Sequence, residues 1–178
     1  MASPSHWTVA GMPLYAKSTY PASMSLEFPT IQTRVAGVSF ENRDGSLRQT
    51  YVRQVKKGDG LTLRREPDNP FDPHAMAVDW TDAEGQPRQL GYVPRALAFV
   101  LAPLVDMGVK LQAQVARKGG GGLRLAGVKM TIDLEPDTVP PAQASGLEPA
   151  ITQALEADRL EAFMDPGLAP SLGGHRVS

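Results

Sequence analysis

The sequence predicts a β-rich α+β domain with irregular ends, and three observations carry that expectation. Short runs of alternating apolar and polar residues, separated by glycine- and proline-bearing turns, recur between Gln32 and Leu134. The period changes to a helical one only after Pro94. The chain of 178 residues carries 16 prolines and 17 glycines, more than one such core needs, so the surplus belongs in linkers and tails.

Residues 1–31 are rich in Ser, Pro and Thr, show no sustained period, and read as an irregular arm. QTRVAGVSF, with Val35, Gly37 and Phe40, is the first expected strand. QTYVRQV and LTLRRE follow as two more on either side of the turn KKGDG. AMAVDW and RQLGYV form a hairpin around TDAEGQP. RALAFVLAPLVDMG places Leu97, Val100, Leu101 and Leu104 on one helical face, with a kink or break expected at Pro103 and Gly108 as a C-terminal cap. VKLQAQVAR and LRLAGVKMTIDL flank the glycine run at 119–122 as the last two strands. The expected unit at 32–134 thus holds about six or seven short strands and one or two helices. Beyond it, residues 135–178 read as a Pro/Gly-rich acidic tail. EPDTVPPAQASGLEP is a linker by composition, and AITQALEADRLEAFM is a short, exposed helix with Ile151, Leu155, Leu160 and Phe163 as its apolar residues.

Composition narrows the function. Cysteine is absent, which excludes disulfide scaffolds, thiolate zinc sites and cysteine nucleophiles. Neither a signal-peptide pattern nor an uncharged span of membrane thickness is visible, and the expected location is cytoplasmic. The net charge of -1 conceals an asymmetry: residues 32–134 carry 15 Lys/Arg against 11 Asp/Glu, a balance of +4, whereas residues 135–178 carry 2 against 7, a balance of -5. A basic core suits a polyanion.

The stretch REPDNPFDPHAMAVDW, residues 65–80, concentrates the chemistry. As a metal site it offers Asp68, Asp72 and His74, but His6 and His175 lie in the tails and no second acidic cluster completes a ligand set. As a catalytic site it lacks a nucleophile paired with a base, and Asp beside proline ordinarily caps a turn. The glycine run at 119–122 leads into a strand, so it reads as a hairpin loop rather than a phosphate cradle. No catalytic residue and no cofactor are expected. What remains is stiffness: Pro67, Pro70 and Pro73 fix their own φ and push their predecessors toward extended geometry. Phe71, held between Pro70 and Asp72, either plugs the top of the core or faces a groove.

VAGVSF, REPDNPFDPHAMAV and QLGYVPR, in that order and leading into an apolar helix, resemble the HIRAN domain over residues 32–134. The family occurs at the N-terminus of SWI/SNF-type helicases and as free-standing bacterial modules. The resemblance implies a small OB-like β-barrel that binds single-stranded DNA and captures its 3′ end, in DNA repair or processing. Any helicase or nuclease activity would belong to a partner protein. It further implies that Phe40, in the first strand, and Phe71 stack on terminal bases, that Asp72 accepts a hydrogen bond from the 3′-hydroxyl, and that Tyr92 and Arg95 contact the adjoining phosphate. Ser39 and Glu41 stand where the end-binding helicase domain has a basic residue and an aromatic one. Both lower the basic character of the pocket and favour the alternative, a protein-interaction module that accepts a peptide or its own acidic tail.

Overall fold

A computed structural model of the chain describes residues 27–120, 122 and 124–164. The arm up to residue 26 and the tail from residue 165 lie outside the described residues. The alternating segments form six antiparallel strands, β1 (Ile31–Arg34), β2 (Gly60–Arg65), β3 (Met76–Thr81), β4 (Pro87–Tyr92), β5 (Leu111–Gly119) and β6 (Gly127–Leu134). They make one sheet in the order β1-β6-β5-β2-β3-β4. Three α-helices accompany them among the described residues: α1 (Arg48–Val52), α2 (Arg95–Asp106) and α3 (Pro141–Met164). The β-rich α+β class holds.

The sheet order does not close on itself, because β1 and β4 are edges. One isolated bridge nevertheless joins the chain just past β1 to the end of β4. Ala36 N–H donates to the Tyr92 carbonyl at 2.8 Å, and Tyr92 N–H donates to the Ala36 carbonyl at 2.9 Å. This approach explains the glycine of GYVPR: a Cβ on Gly91 would sit 2.2 Å from the Ala36 carbonyl oxygen. The OB-like barrel is therefore realised as an open sheet pinned at one corner, and that corner carries the site described below.

The core lies between the sheet and α2, with Ile31, Val78, Leu90, Leu97, Leu101, Met130 and Ile132 fully buried. Each such side chain contributes about 1.5–3 kcal/mol relative to an exposed position. The helical face expected after Pro94 is largely observed: Leu97, Leu101 and Leu104 are buried, and Val100 is half-buried. The break expected at Pro103 is not, since α2 continues through it to Asp106. The missing N–H costs one helical bond, which burial of the flanking Ala102 and Leu104 offsets.

Three expectations are corrected. QTYVRQV, read as a strand, overlaps α1, which begins one residue earlier at Arg48, and the buried positions Arg48, Val52 and Val55 show why: they recur at i, i+4 and i+7, a helical spacing that β-branched composition obscures. The first strand is shorter than QTRVAGVSF. Gly37 adopts φ +70° and turns the chain, so Phe40 lies in a turn, its N–H donating to the Gly37 carbonyl at 3.2 Å. The segment read as linker and short helix forms a 3-10 turn (Pro136–Thr138) followed by the 24-residue α3. Leu147, Ile151 and Ala154 of α3 join the core cluster and the helix packs on α2. Its buried positions, spaced by four and three residues, make the face that composition alone did not reveal.

Candidate nucleic-acid interface

The loop between β2 and β3 is stiff for more reasons than its prolines. Asn69 bridges it, its Oδ1 accepting the Phe71 N–H at 3.0 Å while its Nδ2 donates to Glu66 Oε2 at 3.0 Å. Asp72 Oδ1 accepts the His74 N–H at 2.8 Å, the turn-capping role open to any Asp in this context. Arg65 clamps the far side, donating to the Pro73 and Ala75 carbonyls and, through two nitrogens each at 2.9 Å, to the Asp106 carboxylate on α2. Little backbone entropy remains to be lost on binding.

At its apex Phe71 is 88% exposed. The ring is no core plug. Phe40, from the turn after β1, is 67% exposed. Between these turns and the Ala36–Tyr92 corner runs a groove of about 800 Å³, lined by Phe40, Glu41, Phe71, Asp72, Tyr92 and Arg95, with Arg43, Arg48 and Asn69 among its other walls. All five residues singled out from the sequence thus meet in one place. Three arginines there oppose two carboxylates, leaving a balance of +1.

The carboxylate of Asp72 is only 18% exposed, and its Oδ2 lies 3.7 Å from Arg95 Nε, beyond hydrogen-bond reach. With Oδ1 committed to the backbone, Oδ2 is left facing a cation without a bond to it. Arg95, 75% exposed, sits at the N-terminus of α2. Tyr92 is arranged differently from the sequence expectation. Its hydroxyl donates to Glu66 Oε2 at 3.1 Å, and so is not free to donate to a phosphate, while its ring carries the Arg48 guanidinium 5.1 Å from the centroid. Burial alone would raise the Glu66 carboxyl, but hydrogen bonds from Asn69, Arg64 and Tyr92 outweigh it and hold it below its ordinary value.

A protein-family model, described as HIRAN domain, matches residues 29–126, more than half of the chain. The chain belongs to the HIRAN domain family. HIRAN domains are nucleic-acid-binding modules that occur with helicase or nuclease domains. The chain is 45% identical over 53 residues to the Fanconi-associated nuclease 1 homolog of Oryza sativa subsp. japonica, a match that covers 30% of this chain and 5% of that protein. It also resembles the crystal structure of the HIRAN domain of human HLTF, with a TM-score of 0.48 and 17% identity over 70% of this chain and 88% of that one. A crystal structure of a protein from Lactobacillus plantarum matches with a TM-score of 0.43 and 21% identity over 60% and 94% of the two chains.

Two residues that sequence reasoning passed over complete the HIRAN groove. Arg48 is only 7% exposed, yet forms no ion pair among the described residues; it donates to Asn42 Oδ1 at 2.7 Å and to the Gly37 carbonyl at 2.9 Å. It is a cation fixed by neutral acceptors, and its positive charge stays uncompensated. Asn69 ties Glu66 to the backbone of Phe71. The available signal for Arg48 was the i, i+4, i+7 spacing with Val52 and Val55, hidden once the segment was read as a strand. Among the described residues no helix is long and apolar enough to cross a membrane.

Proposed function

We propose that the groove binds single-stranded DNA and receives its 3′ end, without catalysing a reaction on it. The observation that carries this reading is the 88% exposure of Phe71 on a loop that hydrogen bonds hold rigid, beside the arginines and the one sheltered carboxylate of the groove. An aromatic face so presented stacks on any base, worth about 1–3 kcal/mol each, and Phe40 offers a second. Asp72 Oδ2 has an unfilled lone pair for a hydroxyl donor. A terminal phosphate in the same place brings about 1.5 to 2 negative charges against that carboxylate, so the end chemistry is read without reading the sequence. Arg95 is open to the adjoining phosphate. The part of Tyr92 is to hold Arg48: with its hydroxyl tied to Glu66, its ring supports the guanidinium that keeps the groove floor positive. DNA repair or processing, in company with a helicase or nuclease, is the setting this activity suits.

A peptide ligand is the second reading, favoured by Glu41 on the groove wall and by the apolar surface of Phe40 and Phe71. Among the described residues, no part of α3 lines this groove, so the packed portion of the acidic tail is not its occupant. Salt separates the two readings. Fluorescence anisotropy of a labelled single-stranded oligonucleotide is expected to give a log–log salt slope of about -0.7 for each phosphate contacted. A flat slope would favour the peptide.

A further inference from the structure

A second cleft, of about 570 Å³, lies between α3 and the β1, β6 and β5 side of the sheet, lined by Thr33, Arg34, Arg117, Lys129, Asp158 and Arg159 among others. Strand register explains why its cations gather. Arg34 is the partner of Lys129 across β1 and β6, and Lys129 is the partner of Arg117 across β6 and β5. Like charges in one cross-strand row oppose one another unless something negative lies over them. Asp158 answers one of them, meeting Arg34 Nη2 at 2.7 Å. Arg117, Lys129 and Arg159 make no ion pair among the described residues and are exposed. Four cations against one carboxylate leave the cleft at +3.

A second observation is independent of charge. Thr33 is 7% exposed and its Oγ1 has no hydrogen-bond partner; the Arg34 Nε, equally sealed, has none either. Folded proteins rarely leave buried donors unpaired, and here both belong to residues of the same cleft wall. Both atoms are sealed and neighbouring side chains of a strand alternate between faces, so they mark a wall whose polar groups the protein does not itself satisfy, while the exposed Arg117, Lys129 and Arg159 are the groups an oxyanion would meet.

We infer that this cleft is a phosphate subsite for the same strand whose end lies in the groove, an inference that rests on the groove binding nucleic acid. The two sites share one piece of chain. Thr33 and Arg34 line the cleft, Ala36 and Gly37 line the groove, and Arg34 and Ala36 are about 7 Å apart at the rise of an extended strand. A polyanion leaving the groove along this segment meets the cleft next. The HIRAN match ends at residue 126, whereas Lys129, Asp158 and Arg159 lie beyond it. The subsite is thus built by joining α3 to the HIRAN unit, and it lengthens the footprint of the module.

The test uses the full chain and the triple variant Arg117→Gln, Lys129→Gln and Arg159→Gln, all at exposed positions. The variant is expected to bind a trinucleotide as the parent does, but to bind a dodecanucleotide about tenfold more weakly, with a salt slope shallower by about 2, or ~0.7 for each lost contact. Separately, inorganic tripolyphosphate is expected to shift the backbone amide NMR signals of Thr33, Arg34 and Lys129 in the parent and not in the variant. Equal dodecanucleotide binding by parent and variant would overturn the shared strand even if tripolyphosphate shifts those signals, since the cleft would then serve a free anion. Unshifted signals would overturn the anion site itself. If Phe71→Ala leaves both oligonucleotides bound as before while the triple variant weakens the longer one, the cleft stands and the groove reading falls.

Discussion

Phe71 contributes little to the fold, because a ring 88% exposed has almost no burial to lose. Phe71→Ala is therefore expected to leave thermal stability within about 0.5 kcal/mol of the parent while weakening single-stranded DNA by about 1–3 kcal/mol, read by thermal denaturation and anisotropy on the same preparation. A large loss of stability would show that the ring packs after all. Glu66 makes the opposite case, a residue that acts through its neighbours. Its folded-state pKa is depressed, so its contribution is present above the ordinary value of 4.5 and is lost as pH falls through the lowered one. Acidification below about pH 4.5 should cost the parent more stability than Glu66→Gln, in paired melts from about pH 6 to about pH 3. At this scale the proline loop was legible, because three prolines and two Asx turns act on immediate neighbours. Arg48 was not, since its meaning depends on Tyr92, which is remote in sequence and near only across the Ala36–Tyr92 corner.

The elements were legible in proportion to how local their determinants are. β2, β3, β4 and α2 follow alternation or helical period together with turn residues, and the Asp82 side chain shows how directly a turn is encoded, its Oδ1 accepting the N–H groups of both Glu84 and Gln86. α1 was misread because five helical residues are too few for a period to outweigh the strand preference of the consecutive Thr50, Tyr51 and Val52. α3 was underestimated for another reason: its sequence carries Pro149 and polar residues on most faces, and only contact with α2 shows which narrow stripe is apolar. A helix held by packing should unravel when the stripe is cut. Ile151→Ala is expected to destabilise the protein by about 2–4 kcal/mol, measured by denaturant unfolding, whereas a solvated tail helix would show no change.

Over the whole molecule, the open sheet matters for function because its one corner bridge puts the turn after β1, the proline loop and the start of α2 side by side. Those three segments supply Phe40, Phe71 with Asp72, and Arg95, residues separated by up to 55 positions in sequence (95 minus 40). The resemblance to HIRAN domains nominated them, but their convergence on one groove is a property of topology. The charge asymmetry also gains a different meaning. The acidic C-terminal segment is not merely a counterweight to the basic core: α3 docks beside it, neutralises Arg34 through Asp158, and contributes Arg159 to a cleft of its own.

The most direct measurement compares one oligonucleotide ending in a 3′-hydroxyl with the same oligonucleotide ending in a 3′-phosphate, by anisotropy at fixed salt. The geometry around Asp72 predicts that the hydroxyl end binds more tightly, by about tenfold if the terminal contact is worth ~1.5 kcal/mol, and that Asp72→Asn narrows the gap. Equal affinity for the two ends in the parent protein would contradict end capture by this groove.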